Sequence, residues 1–171
     1  MKANNTITTQ TTLEISSPEF KHEGFIPMKF TCEGQNINPT LLIGKIPTET
    51  ISLALIMDDP DAPDPAAPKM TYVHWVLYNI PAKVTGLPEG ASRSSLPPET
   101  RLGLNDWKRS NYGGPCPPIG EHRYYFKLYA LDTIFSPQTP TLTKAGLERA
   151  MAGHILGQAT LMGKYKKTKK Q

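Results

Sequence analysis

Ile51-Ser52-Leu53-Ala54-Leu55-Ile56-Met57-Asp58-Asp59-Pro60-Asp61-Ala62-Pro63 changes character halfway along. Its first half is almost continuously apolar, the pattern of a strand covered on both faces. Its second half holds three carboxylates in four residues beside two prolines, which predicts a rigid turn that delivers acids to the edge of a sheet. Working outward, residues 72–80 hold Val73, Trp75, Val76, Leu77 and Tyr78, again buried in character. Residues 124–131 mix aromatics with Leu128 and Ala130, and Lys127 among them predicts one partly wet face. Residues 13–15, 29–32 and 41–43 are further strand candidates. The 17 prolines and 13 glycines are scattered between short apolar runs, as turn punctuation in a β-rich domain is.

One segment, 144–162, reads as helix. Leu147, Met151, Ile155 and Met162 lie near helical spacing, Thr143 is placed to cap it, and Gly153 and Gly157 would let it approach a sheet closely. Residues 81–118 show little periodicity, yet they carry Trp107 and Tyr112. A loop of that length in a compact domain is functional or disordered, and its aromatics predict an ordered loop packed near a site.

The 171 residues suit one domain, divided here into a disordered leader (1–12), a folded body (13–165) and a basic tail (166–171). Lys164, Lys166, Lys167, Lys169 and Lys170 account for more than the whole net charge of +4, so the body is no basic groove and nucleic acid is not an expected partner. The first residues lack the apolar core of a secretory signal, and no run reaches the roughly 20 apolar residues of a membrane helix. The expectation is a cytoplasmic protein without integral membrane contact. Two cysteines far apart, Cys32 and Cys116, fit a reduced protein and leave one long-range disulfide open.

Three segments can carry chemistry: the acidic stretch with Asp59 and Asp61; His74-Trp75; and Tyr112-Gly113-Gly114-Pro115-Cys116-Pro117-Pro118, which leads into His122-Arg123-Tyr124. His122 and Tyr124 share a face if a strand begins at His122. Glycine amides beside histidines and a tyrosine hydroxyl bind a phosphate-sized anion, and an aspartate near a histidine orients the ring and favours its charged form. Each segment alone has an ordinary reading, as a turn, a core histidine or a loop; the site reading rests on their coincidence in one chain. His22 and His154 lie outside these segments and read as structural or exposed.

Taken together in this order, Asp59-Pro60-Asp61-Ala62-Pro63, His74-Trp75, Gly114-Pro115-Cys116-Pro117-Pro118 and His122-Arg123-Tyr124 resemble the phosphatidylethanolamine-binding proteins, the family of the Raf kinase inhibitor protein, over roughly 13–165. The Cys-containing Gly-Pro-Cys-Pro-Pro form, Phe30-Thr31-Cys32-Glu33-Gly34 and Gly163-Lys164-Tyr165 are similar to its prokaryotic branch. The resemblance implies a mainly β, two-sheet antiparallel fold with a Greek-key arrangement, a few short helices and one C-terminal helix. It also implies a pocket for phosphate, phosphorylethanolamine, acetate or similar anions, built from Asp59, Asp61, His74, Gly114, Cys116, His122 and Tyr124. His74 and the loop amides would contact the anion, Asp59 would accept from an ammonium or orient a histidine, and His122 and Tyr124 would form a wall.

The function expected on this basis is a non-enzymatic, kinase-inhibitor-like regulator of a phosphorylated partner, a phosphoprotein or a kinase. It would use no cofactor, and a homodimer is compatible with it. The alternative is a metal-assisted hydrolase using Asp59, Asp61, His74 and His122, which could ligate zinc or manganese. Against it, the chain lacks closely spaced histidine pairs, Gly-x-Ser-x-Gly, a phosphate-binding lysine loop and Cys-x-x-Cys, and Cys116 between prolines reads as a loop residue more than a nucleophile.

Overall fold

The computed structural model describes residues 12–168. The expected leader, apart from Thr12, and the tail from Lys169 onward lie outside the described residues.

The apolar run forms β3 (Ser52–Ala62), central in a five-stranded antiparallel sheet with β4 (Met70–Pro81), β6 (Arg101–Leu102), β7 (His122–Leu131) and β8 (Ile155–Tyr165), in the order β6-β4-β3-β7-β8. Four of these strands run β7-β3-β4-β6, so the fourth in chain order returns beside the first, which is a Greek key. A second antiparallel sheet joins β1 (Glu14–Ser16), β2 (Leu41–Gly44) and β5 (Gly86–Leu87) in the order β1-β2-β5.

The density of apolar residues in β3 has a direct cause, since both of its faces are covered. Leu53, Leu55 and Met57 pack with Trp75, Leu77, Phe126 and Leu128 against Leu13, Ile15, Leu41 and Leu87 of the small sheet. Ala54 and Ile56 pack with Val76, Tyr78 and Leu131 under Leu147 and Met151 of α1 (Lys144–Met151). The acids continue this alternation inside the strand, because β3 runs through Ala62 and the expected turn begins only beyond it. Asp58, fully buried on the helix side, accepts from Lys127 Nζ (3.0 Å) and from Lys144 Nζ (2.7 Å), which ties the first turn of α1 to the sheet. Asp59 belongs to the opposite face.

Two expected elements differ from what forms. Thr143 caps α1 by accepting from Gly146 N, but the helix ends at Met151, well short of residue 162. Gly153 adopts φ +83° in the turn that follows, and residues 155–165 form β8 along β7. The inward positions of β8 are Gly157, Ala159, Leu161, Gly163 and Tyr165, and at Gly163 a side chain would collide with Ile26 and Phe20. Residues 29–32, expected as a strand, form none; a 3-10 turn over Met28–Phe30 stands there, closed by Phe30 N to Pro27 O and Thr31 N to Met28 O.

Candidate functional site

β4 holds one residue more than β3 can pair. Met57 faces Trp75 and Asp58 faces Val73, so His74 is left out of the register as a bulge. A bulged residue leaves the ladder and its side chain is re-aimed. The backbone carbonyl of His74 accepts from Gly113 N (3.1 Å) and Asn105 Nδ2 (3.3 Å) in the long loop. The side chain, 3 % exposed, lines a cavity of about 350 Å³ with Asp59, Cys116, His122 and Tyr124. Ala62, Pro63, Met70, Pro117 and Pro118 supply apolar walls, and Tyr72 and Trp107 meet His74 edge to face at centroid distances of 5.5 and 5.0 Å.

The expected loop 81–118 contains the short strands β5 and β6, and its part 105–113 packs beside the site, organised by Asn105. That buried side chain accepts from Trp107 N (2.9 Å) and Arg109 N (3.1 Å) and donates to Asn111 O (2.8 Å) as well as to His74 O. Asp106 continues the strand edge by exchanging bonds with Val73: its amide donates to Val73 O and its carboxylate accepts from Val73 N. Trp107 then lies directly on Gly113, where a Cβ would stand 2.2 Å from the indole. Asn105→Ala removes partners from four buried or half-buried polar groups and is expected to destabilise the protein by about 1–3 kcal/mol in urea unfolding. A change below about 0.5 kcal/mol would show that other contacts hold this loop.

The two histidines are held in opposite ways. His122, with no exposed surface, sits between Asp59 Oδ2 (2.6 Å from Nδ1) and the carbonyls of Ile119 and Pro63 (2.9 and 3.1 Å from Nε2). All three partners present oxygens to the ring, so both of its nitrogens are engaged by the protein and neither is left to meet a ligand. The second Asp59 oxygen accepts from Asp61 N at 2.7 Å. His74 has a single polar partner, donating from Nδ1 to Gly113 O at 2.6 Å. Burial holds this imidazole below its ordinary pKa, against the opposing pull of the Gly113 carbonyl and the Asp59 carboxylate, so the ring is neutral and Nε2 keeps its lone pair. Nε2 has no partner among the described residues. The Tyr124 hydroxyl is also buried without one; the Cys116 backbone and Asp59 are its polar neighbours, and burial followed by the Asp59 charge raises its pKa.

Of the seven residues named from sequence, Asp59, His74, Cys116, His122 and Tyr124 surround the cavity, and Asp61 and Gly114 do not. Asp61 holds Arg123 in a fork (Oδ1 to Nη2 2.8 Å, Oδ2 to Nε 2.9 Å), and these bonds keep its carboxyl below the ordinary pKa. Gly114 N donates to Asn36 Oδ1 and Gly113 N to His74 O, so these amides are engaged by the protein instead of facing an anion. Gly114 lines a second, smaller groove that shares Trp107 and Cys116 with the cavity. Cys116 is bonded to Cys32, which answers the open question of the bridge and removes its thiol. The four residues of the metal-ligand reading are not presented together, since Asp61 and both nitrogens of His122 are engaged; among the described residues no three such groups cluster. Tyr72, Asn105 and the position of Trp107 are the parts that residue pattern did not disclose.

The family described as phosphatidylethanolamine-binding protein matches residues 16–166. A UPF0098 protein of Methanothermobacter thermautotrophicus is 44% identical over 156 residues, covering 91% of this chain and 99% of the relative. The crystal structure of CT736 from Chlamydia trachomatis, described as a homologue in this family, superposes with a TM-score of 0.83 at 39% identity, covering 92% of this chain and 99% of that one. That of Escherichia coli YbcL, described as a new member of the mammalian family, does so with a TM-score of 0.80 at 31% identity, covering 91% and 99%.

Proposed function

We infer, from the premise that the chain belongs to the phosphatidylethanolamine-binding protein family, that its cavity binds a small phosphate-bearing or carboxylate anion without turnover, as the recognition element of a regulator of phosphorylated partners. The observation that carries this reading is the pair of free polar groups in a cavity otherwise walled by apolar and already-paired residues: Nε2 of a neutral His74 and the unpartnered hydroxyl of Tyr124. A tyrosine hydroxyl donates to an anionic oxygen. A neutral imidazole nitrogen does so only after taking up a proton, and an arriving anion favours that uptake. Both nitrogens of His122 are already engaged by the protein, so the proton brought to His74 supplies the donor that meets the anion.

The sign of the pH dependence follows. In the free protein burial keeps the His74 pKa low, and in the complex the anion raises it, so binding consumes a proton and tightens as pH falls. Sulfate, which does not titrate near neutrality, isolates the effect: its affinity should rise by up to about tenfold per pH unit of acidification. Buffer-dependent heats in calorimetry should report the proton taken up. His74→Ala should weaken phosphate and phosphorylethanolamine binding about 10- to 150-fold. An affinity unchanged by that substitution would remove His74 from the site, and no binding to the intact protein would overturn the reading.

A further inference from the structure

We propose that the bridge between Cys32 and Cys116 is a site of thiol–disulfide exchange, opened at Cys32 by a small thiol that carries a carboxylate, with Arg109 receiving that carboxylate. The inference is independent of the anion reading of the cavity.

Both cysteines border a groove of about 210 Å³, together with Asn36, Trp107, Arg109 and Asn111. They are not equally accessible. Cys32 is exposed, in the turn that follows Phe30, whereas Cys116 is half-buried between the buried Pro115 and Pro117. Exchange requires a thiolate to reach one sulfur of the pair, and exposed bridges are the labile ones. Access therefore selects Cys32 as the sulfur attacked and Cys116 as the leaving group. The incoming thiolate bonds to Cys32 Sγ as the bond between the two Sγ atoms breaks. The electron pair departs with Cys116 Sγ, which takes up a proton from water. The small thiol is oxidised into a mixed disulfide and Cys116 is reduced to a thiol, so the exchange is balanced without a further reagent.

The charge of the groove selects the thiol. Of the described residues that line it, Arg109 alone is charged. Its guanidinium is exposed and makes no hydrogen bond or ion pair with any described residue, unlike that of Arg123, which Asp61 holds. Asn36 spends its carbonyl oxygen on Gly114 N and keeps its amide nitrogen as a donor. Glu33, the acid beside Cys32 in sequence, does not line the groove and accepts from Tyr165 OH and Thr168 N. The backbone under the guanidinium is fixed, since Arg109 N donates to Asn105 Oδ1 (3.1 Å) and Arg109 O accepts from Asn105 N (2.9 Å). A planar guanidinium pairs with a carboxylate through two parallel bonds. A carboxylate receptor thus stands in one groove with a disulfide, and the molecules that match both are thiols of the cysteine type.

N-acetylcysteine and its amide differ only at the carboxylate, which makes the test direct. Bridge opening in the full-length native protein is followed by acid quench, alkylation and intact mass, with rates compared per thiolate. The ratio of the N-acetylcysteine rate to the amide rate should be about tenfold higher in the parent than in Arg109→Gln, the worth of one charged hydrogen-bonded contact. The variant corrects for the intrinsic reactivities of the two thiols. Peptide mapping of the quenched parent should place the adduct on Cys32 and the alkylated thiol on Cys116. The same rate ratio in both proteins, an adduct on Cys116, or a bridge that opens only in urea overturns the proposal.

Discussion

Replacing Asp59 by alanine is expected to destabilise the fold by about 3–5 kcal/mol, a large part of the roughly 5–15 kcal/mol that holds a domain together. The variant leaves His122 fully buried between two carbonyls with no counter-ion, and it strips Asp61 N of its acceptor as well. A buried ring nitrogen that loses its hydrogen-bond partner is left unsatisfied in an apolar setting, which is unfavourable. Asp59→Asn keeps an acceptor for the Nδ1 proton and should destabilise less. Urea unfolding of the two variants beside the parent protein makes the comparison. A loss below about 1 kcal/mol in Asp59→Ala would mean that the contact with Asp59 does not hold the ring.

The second large effect belongs to the bridge between Cys32 and Cys116, which closes a loop over a sequence separation of 84. Its removal, by Cys32→Ser with Cys116→Ser, is expected to lower stability by about 2–5 kcal/mol, chiefly because the unfolded chain regains freedom. The pocket wall itself should survive. The same seam is crossed by Tyr112 OH to Phe30 O (2.8 Å), Gly114 N to Asn36 Oδ1 (2.8 Å) and Cys32 N to Pro115 O (3.1 Å). The double variant should therefore unfold at lower urea yet retain the affinity of the parent for sulfate. Two free thiols titrated in the unreduced native protein, or identical urea midpoints with and without reductant, would contradict the bond.

The strands that build the site were legible because their apolar density is a property of local sequence: β3 and β4 read as buried, and β7 as half-wet through Lys127. Its start at His122 put that ring and Tyr124 on one face, where they stack at 6.2 Å. β8 was misread for a definite reason. Before Tyr165 its inward residues are glycine, alanine and glycine around a single leucine, and Gly163 is crowded by Ile26 and Phe20, which approach from far away in the chain. The alternation was silent, and Ile155 and Met162 continued the period of the preceding helix by coincidence. Asp61 was misassigned to the pocket because sequence shows an acid near the site but not the Arg123 fork that claims it. The amides of Gly113 and Gly114 are engaged for the same reason, since their acceptors, the His74 carbonyl and Asn36, are distant in sequence.

The bulge in β4 has a consequence for how the protein could change over time. The imidazole reaches the cavity because the strand is one residue longer than its partner can pair, so the pocket is encoded by segment length as well as by residue identity. A substitution at His74 removes a ring from a site that keeps its shape. Deleting one residue between Tyr72 and Trp75 would do the reverse, evening the pairing at this one of three register shifts while displacing the ring and the carbonyl to which Asn105 and Gly113 donate. At His74 local regularity of the pairing and the pocket therefore oppose each other, and gains and losses of single residues there are changes through which a lineage would acquire or abandon the site.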